Sequence, residues 1–281
     1  LHHIKNSNLK QNIYIYITPI CNEKFFEICT KGLNIKNDEK IKFFINVIIN
    51  LKFLNIFFHK LTDCDDRDVL QLRSTIKNPL FLNKEDRKLA KYILEKNGLD
   101  KLVNEKLILL NVRDNLYLRD QFKDKNFDYH NYRDSNIKDY DKTVNYLISK
   151  GFSVIRMGRN TLNRQSIDNE LFWDYSFSNI RSDLLDIYLA EVCYACISTG
   201  SGFDALPSIN AKPLLYVNYL PHGYMMTSSS RNYTCFKKLK DIAQNKIISD
   251  LNVLYDRNIF NILDGSDYEK NGFEVINLTA D

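Results

Sequence analysis

The stretch CYACISTGSGFD, residues 193–204, combines the end of a strand, a small turn and the start of a helix. Its first half, Cys193 to Ser198, is apolar and rich in small and β-branched residues, which favours a buried strand. Thr199-Gly200-Ser201-Gly202 breaks this run, and residues 203–206 are typical of a first helical turn. Backbone N–H groups at such a turn can hold a phosphate. The glycines are spaced G-x-G without a third, so a plain tight turn is the other interpretation.

Composition narrows the classes of protein to which the chain can belong. Its 281 residues are 44% hydrophobic, which is enough for one large domain or two medium ones. The net charge is only +4, with Lys and Arg spread along the chain, so we expect no nucleic-acid partner. The six cysteines show no disulfide-framework spacing, and Cys193 and Cys196 would face opposite sides of a strand. We therefore expect a reducing, cytoplasmic environment.

Residues 1–100 precede the change of pattern at residue 101. Residues 13–18 predict a short strand, and residues 84–97 an amphipathic helix. The most hydrophobic stretch, 41–58, predicts a buried helix or one lying on a membrane surface, because it is too short and too polar to span. Residues 63–66 contain a D-x-D but directly follow a helix-like run, so a solvated acidic turn is favoured over a metal site.

From residue 101 the pattern alternates between strands and helices. Near-continuous apolar strands separated by amphipathic helices predict a parallel, doubly wound α/β sheet over residues 101–281. The predicted strands are 107–112, 152–157, 171–176, 195–199 and 213–218, and the predicted helices are 138–150, one capped by Ser182, and 203–210.

Polar residues follow these strands at their carboxyl ends, where ligands bind in sheets of this kind. Several are arginines, whose planar fork can bind two phosphate oxygens at once. We therefore expect an anionic, phosphate-bearing ligand, and a surface salt bridge is the alternative for each arginine taken alone. The candidate binding residues are Arg113, Arg156, Arg181, Ser182, Asp183, Thr199, Gly200, Ser201 and Gly202.

Two residues are candidates for a general base. Asp114 directly follows the first strand of the predicted sheet, and His130 lies in a loop and has an ordinary pKa suited to proton transfer near neutrality. A surface polar role is the alternative for His130. The sequence shows no Ser/His/Asp order and no zinc-ligand spacing, so we expect no metal.

Five motifs occur in order over about residues 107–221, namely VRD (112–114), DYHNYRDSNI (128–137), GFSVIRMG (151–158), NIRSD (179–183) and TGSG (199–202). Together they resemble a family of bacterial glycosyltransferases found among surface-polysaccharide and lipopolysaccharide genes. A fainter similarity to fucosyltransferase-type enzymes rests on the Arg/Asp after the first strand and on the small-residue loop before a helix.

The resemblance implies a GT-B-like architecture of two Rossmann-type domains. Residues 1–100, which match poorly, would be a smaller and incomplete α/β domain on the acceptor side, and residues 101–281 would bind a nucleotide-sugar. The implied reaction moves a hexosyl or deoxyhexosyl group to a glycan or glycolipid acceptor, without a metal or a further cofactor. The resemblance also allows a peripheral contact of the protein with the inner face of the membrane. Asn111 stands where related enzymes often carry His, which shifts the role of base to Asp114 or His130.

In this interpretation the diphosphate lies on Thr199–Gly202, Arg113 and Arg181, while Ser182 or Asp183 contacts the ribose or the base. Arginines can stabilise the charge of the leaving diphosphate without a metal. Two alternatives stay open. One is a pyruvyl or phosphoryl transferase acting on a polysaccharide, and the other is a non-catalytic subunit that binds a nucleotide or sugar beside an active transferase.

Overall fold

The computed structural model describes residues 13–15, 20–31, 34–36, 82–227 and 229–280. The chain forms two compact units, Leu1–Leu82 and Asn83–Asp281. The described part of the first unit contains the parallel strands β1 (Ile13–Ile15) and β2 (Asn34–Lys36) and the helix α1 (Glu23–Thr30). Strand β1 lies within the predicted strand 13–18. The hydrophobic stretch 41–58 and the acidic stretch 63–66 lie outside the described residues.

Helix α2 (Lys84–Lys96) opens the second unit. The helix begins where its sequence predicts, because the Asn83 side chain accepts a hydrogen bond from the Asp86 N–H at 2.7 Å. It ends at Asn97, and Gly98 follows with a φ of +67° that glycine adopts at little cost.

Six parallel strands form the main sheet of the second unit, in the order β5-β4-β3-β6-β7-β8. Counted from the first strand of the sheet this order is 3-2-1-4-5-6, which is the arrangement of a Rossmann-like α/β fold. The strands are β3 (Leu107–Asn111), β4 (Ser153–Met157), β5 (Phe172–Asp174), β6 (Ala195–Ser198), β7 (Leu214–Tyr219) and β8 (Asn232–Phe236).

Helices connect the strands and cover the sheet. Every residue of β3 and β4 is buried, so both faces of the sheet are covered. Ile108, Leu110 and Val154 form one core cluster with Val144. The connecting helices are α3 (Leu116–Gln121), α4 (Asp141–Ser149), α5 (Asp183–Val192) and α6 (Ala205–Ile209), with 3₁₀ turns at Asp100–Leu102, Asp128–Arg133, Ile137–Tyr140, Tyr175–Phe177, Gly202–Asp204 and His222–Tyr224.

A small antiparallel sheet follows the main one, in a region where the sequence pattern predicted no element. Its strands β9 (Lys238–Asp241), β10 (Lys246–Ile248) and β11 (Phe273–Ile276) are ordered β10-β9-β11. Helices α7 (Leu251–Asp256) and α8 (Gly265–Lys270) pack with it around a second core that contains Leu239, Leu254, Tyr268 and Phe273. In the part of the chain that the structure describes, no helix is both long and apolar enough to cross a membrane.

Candidate functional site

The crevice at the carboxyl ends of β3 and β6 is the natural ligand position of this sheet. The chain runs from β3 to one side and from β6 to the other, and such a switch point leaves a gap above the strand ends. The two loops that follow these strands meet there. The Arg113 N–H donates to Thr199 Oγ1 at 2.8 Å, and the Thr199 N–H donates to the Asn111 carbonyl at 3.1 Å. The structure therefore brings Arg113 and the predicted phosphate loop together.

The loop at residues 199–202 is held mainly by its own side chains. Three N–H groups of the turn already have acceptors: Gly200 donates to Ser198 Oγ at 3.1 Å, Ser201 to Asp204 Oδ2 at 2.8 Å, and Phe203 to Ser201 Oγ at 3.2 Å. The N–H of the exposed Gly202 has no hydrogen bond to any residue that the structure describes. Backbone recognition of a phosphate is therefore limited to Gly202, and the rest of the loop supports neighbouring side chains.

A buried polar network lies beneath this loop. Asn111 Nδ2 donates to Ser201 Oγ at 2.7 Å, to Ser198 Oγ at 3.2 Å and to Asp204 Oδ1 at 3.3 Å. Burial raises the pKa of Asp204 to about 6, although hydrogen bonds from Ser198, Ser201 and Asn111 oppose the shift. Asn111 therefore bridges β3 to the loop as a donor, which is a supporting role.

The turn requires a glycine at position 200. Its φ is +89°, and a Cβ at this position would lie 2.7 Å from a ring carbon of Tyr219. The Cβ of a side chain at Gly202 would meet no atom within 4 Å. The two glycines thus differ: the first permits the turn to pack on Tyr219, and the second leaves an open backbone at the crevice.

Two arginines lie side by side over the switch point. Arg113 Nη1 donates to the His130 carbonyl at 3.3 Å and lies 3.4 Å from Asp134 Oδ1, while Arg133 Nη2 donates to the Gly200 carbonyl at 3.3 Å. Burial lowers the pKa of Arg113, and the charge of Arg133 lowers it further. An anion bound between two guanidinium groups would relieve this repulsion.

Lys237 adds a third cation behind the arginines. It is only 4% exposed, and its ammonium group donates to the Asp134 carbonyl at 2.6 Å. Burial lowers its pKa to about 8, against the raising effect of Asp134. Lys237 therefore fixes the backbone of the loop that carries Arg133 and Asp134.

Buried polar atoms without hydrogen bonds concentrate around these arginines. Eleven such side-chain atoms occur among the described residues, and five of them lie between residues 115 and 135. Most buried polar groups in proteins are paired, so a cluster of exceptions indicates a place where a ligand can supply partners. The five atoms are Asn115 Oδ1, His130 Nδ1, Arg133 Nε, Asp134 Oδ1 and Ser135 Oγ.

The two predicted base candidates have different surroundings. Both carboxylate oxygens of Asp114 accept backbone hydrogen bonds, from the Leu116 N–H at 3.0 Å and from the Leu162 N–H at 2.9 Å. Asp114 therefore ties two loops together. The ring of His130 lies 4.0 Å from that of Tyr129, and burial followed by the charges of the two nearby arginines lowers its pKa. Both effects favour the neutral form of the imidazole.

Asp134 is a third candidate that the sequence analysis did not select. Burial raises the pKa of its carboxyl group to about 6, while Arg113 opposes the shift. The Oδ1 atom forms the 3.4 Å ion pair with Arg113 but no hydrogen bond. A carboxylate with this pKa, in a cleft and with a free acceptor, is suited to taking a proton near neutrality.

The remaining predicted ligands of the phosphate lie away from the switch point, at the ends of β4 and β5. Arg156 is 1% exposed, with Nη1 at 3.0 Å from Asp174 Oδ2. Arg181 donates to the Gly158 carbonyl at 3.1 Å and to Asp186 Oδ2 at 3.0 Å. The positive charges of both arginines are therefore balanced by neighbouring groups of the fold. This matches the alternative that each arginine forms a salt bridge.

Ser182 and Asp183 have structural positions at the start of α5. The Ser182 hydroxyl accepts a hydrogen bond from the Leu185 N–H at 3.3 Å, which caps the helix as its sequence predicts. Asp183 Oδ1 lies 4.0 Å from Arg159 Nη1. Because β5 is separated from β3 by β4, the structure does not bring these two residues to the switch point.

A small cavity with mixed polar and apolar walls lies beside the arginines, on the side of β4. Its volume is about 280 Å³. Its polar lining includes Asp114, Asn115, Asp134, Ser135, Asn163 and Asn277.

Three residues of the site were not predicted as such, namely Arg133, Asp134 and Lys237. The first two lie within the motif DYHNYRDSNI, so the signal was present but the choice within the motif was incomplete. Lys237 directly follows β8, a strand that the sequence pattern did not reveal.

Within the described ranges, no group of three or more His, Cys, Asp or Glu side chains is placed to hold a metal ion. In comparisons with protein-family models, with curated proteins and with solved structures, no match was found. The assignment of a Rossmann-like α/β fold rests on the strand order. The function is inferred from the site itself.

Proposed function

We propose that this chain is a glycosyltransferase that binds a nucleotide-sugar and transfers its sugar to a glycan or glycolipid acceptor in the synthesis of a bacterial surface polysaccharide. The observation that carries the proposal is the pair Arg113 and Arg133 at the switch point of a Rossmann-like sheet, surrounded by unpaired buried polar atoms. In sheets of this type, ligands bind at that point.

The diphosphate of the donor lies between the two guanidinium groups in this proposal. Arg133 Nε and the Gly202 N–H are free donors there, and the two positive charges attract the phosphates. The same charges stabilise the diphosphate as it leaves, when its negative charge grows. The transfer step therefore needs no metal ion, and the donor substrate is the only small molecule required.

The acceptor hydroxyl must lose a proton as it attacks the sugar. Asp134 and His130 are the groups that suit this role, since each presents an unpaired atom beside the arginines. Asp114 supports the site by joining the loop after β3 to the loop at Leu162. We assign the base to Asp134, with His130 as the alternative that mutation distinguishes.

The first unit, Leu1–Leu82, is proposed as part of an acceptor-side domain of a GT-B-like enzyme. The proposed place of action is the cytoplasm, next to the inner face of the membrane where glycolipid acceptors are found. The resemblance of five ordered motifs to the glycosyltransferase family supports this assignment.

A thermal-shift panel tests the proposal. The purified chain is heated with UDP, GDP, CDP, their common sugar conjugates, and phosphoenolpyruvate. A nucleotide at 100 times its Kd stabilises the folded state by about 2.7 kcal/mol, which raises the melting temperature by several degrees. Release of nucleoside diphosphate from the stabilising donor is then measured.

Each outcome of this panel has a distinct meaning. Stabilisation by a nucleotide-sugar together with release of diphosphate supports the transferase. Stabilisation by phosphoenolpyruvate alone would replace it with a pyruvyl transferase, and binding without turnover on any acceptor would indicate a binding subunit. No stabilisation by any nucleotide would overturn the proposal.

A further inference from the structure

The cavity beside the arginines has the chemistry of a site for hydroxyl groups. Amide and hydroxyl side chains dominate its polar lining, and these groups can both donate and accept hydrogen bonds. Asn115 Oδ1 is buried without a hydrogen bond. The Ser135 hydroxyl, in a residue 8% exposed, completes no bond of normal geometry, although it lies near enough to the Tyr140 hydroxyl to lower the pKa of that group.

The charge of the cavity differs from that of the neighbouring crevice. Asp114 and Asp134 line it, and Arg156, the one cation among the described lining residues, has Nη1 at 3.0 Å from Asp174 and an Nε without a hydrogen bond. A second phosphate or a carboxylate would therefore meet two acidic groups and, among the described lining residues, only a cation whose charge is shared with Asp174. The cavity favours a neutral ligand that offers hydroxyl donors to the carboxylates.

The size of the cavity sets a second limit. Pockets for drug-sized ligands measure about 300–1,000 Å³, and this one, at about 280 Å³, lies just below that range. A single sugar ring is a ligand of this scale. Asp134 belongs both to the cavity and to the arginine pair, so a ring in the cavity would be continuous with a diphosphate on the arginines.

We propose that this cavity holds the sugar ring of the donor and selects an uncharged sugar over a uronic acid. The inference rests on the proposed function, because it places the sugar of the same nucleotide-sugar. Selection comes from two sources: hydroxyl groups fill the unpaired positions at Asn115 and Ser135, and a carboxylate on the ring is repelled by Asp114 and Asp134.

Calorimetry with three matched probes tests the proposal. The affinities of UDP, UDP-glucose and UDP-glucuronate are measured for the full chain, with GDP, GDP-mannose and GDP-mannuronate as the parallel set. We expect the neutral conjugate to bind at least as tightly as the bare nucleotide, and the acidic conjugate to bind at least about 10-fold more weakly than the neutral one.

Two cavity variants and a control give the second readout. Ser135→Ala and the exposed Asn163→Ala should weaken the neutral conjugate by about 2–10-fold and leave the bare nucleotide unchanged. Ser149→Ala, at the far end of α4 and exposed, removes a serine hydroxyl outside the cavity and should change neither affinity. Asn163→Ala keeps the test valid where Ser135→Ala fails to fold.

The failures are distinguishable. If bare nucleotides bind but neutral and acidic conjugates bind equally, or if neither cavity variant affects the sugar, the cavity proposal is overturned and the nucleotide site stands. If no nucleotide and no conjugate binds, both the proposed function and the cavity proposal fall.

Discussion

At the scale of single residues, the arginines that follow the strands separate into two kinds. Arg113 and Arg133 lie close enough at the switch point for their charges to repel, and Arg133 Nε has no hydrogen bond. Arg156 and Arg181 lie at the same edge of the sheet but bind Asp174 and Asp186. The position of a residue after a strand places it at the correct edge, but the partner that its side chain finds depends on residues distant in sequence.

The proposed base is tested by three single substitutions. Asp134→Asn should lower turnover by about 10²–10⁴-fold, because the amide cannot take the acceptor proton. His130→Ala should have a smaller effect, and Asp114→Asn should act mainly by lowering stability, since it weakens two backbone hydrogen bonds. Turnover and donor affinity are measured for each variant at saturating donor.

Donor affinity is the control in this series. It should change far less than turnover does in Asp134→Asn, because Asp134 adjoins Arg113 and the cavity but the proton transfer acts only on the acceptor. Full turnover in Asp134→Asn together with a large loss in His130→Ala would move the base to His130. Full turnover in both would place the base outside the described site.

At the scale of elements, the turn after β6 acts as a rigid support. Side-chain oxygens from Ser198, Ser201 and Asp204 accept its N–H groups, and Asn111 joins the network to β3. Few N–H groups of the turn are therefore free to bind a ligand. The turn instead positions the Gly200 carbonyl, which accepts a hydrogen bond from Arg133.

Substitution of the two glycines separates support from binding. Gly200→Ala should destabilise the fold by about 1–3 kcal/mol, since the residue has a positive φ and its Cβ would meet the Tyr219 ring at 2.7 Å. Gly202→Ala should leave stability within about 1 kcal/mol. Urea denaturation measures both, and equal stabilities for the two variants would contradict the assigned roles.

The elements that the sequence predicted are those with strong local signals. Strands β3, β4, β6 and β7 are apolar runs, and α2 and α5 begin at Asn83 and Ser182 with the expected capping bonds. The predicted helix 138–150 was divided by the structure into a 3₁₀ turn and α4.

The strands that the sequence did not predict lack strong local signals. Strand β8 (NYTCF) alternates between half-buried and exposed residues, and β9, β10 and β11 are three or four residues long. Short strands of this kind are stabilised by pairing with distant segments, so local patterns reveal them poorly. The position of Lys237 could not be predicted for the same reason.

At the scale of the whole molecule, the 3-2-1-4-5-6 strand order makes one position in the sheet special. The gap between β3 and β6 collects the loop after each strand and the loop 128–137, and the unpaired polar atoms gather in the same place. The fold and the electrostatics thus point to one site. The rule that ligands bind at strand ends predicted that Arg113 and the turn at 199–202 lie at one edge, whereas the choice of Arg133 and Asp134 required the three-dimensional contacts.

The raised pKa of Asp134 has a consequence for stability. Its pKa is about 6 in the folded chain and 3.8 as an ordinary value, so the folded state binds the proton more tightly. The stability from this proton is fully present below pH 3.8 and is lost as the pH rises through about 6. Because an amide does not titrate in this range, Asp134→Asn removes this pH-dependent loss of stability.

The free energy of unfolding is therefore compared between Asp134→Asn and the unmodified chain from pH 4.5 to 7.5. The variant should gain stability relative to the unmodified chain as the pH rises, by a total on the order of 2 kcal/mol. Asp124→Asn, an exposed substitution outside the site, is the matched control. A flat difference for Asp134→Asn would show that its carboxyl group titrates alike in both states.

The most direct test of the central claim is the affinity of the preferred nucleoside diphosphate for three lysine variants, measured by calorimetry. Arg113→Lys and Arg133→Lys keep the charge but lose the fork, so each should weaken binding by about 1–3 kcal/mol, or roughly 5–150-fold. Arg181→Lys should bind as the unmodified chain does, because Arg181 is engaged by Gly158 and Asp186. Unchanged affinity in Arg113→Lys and Arg133→Lys, or an equal loss in Arg181→Lys, would contradict a diphosphate site between Arg113 and Arg133.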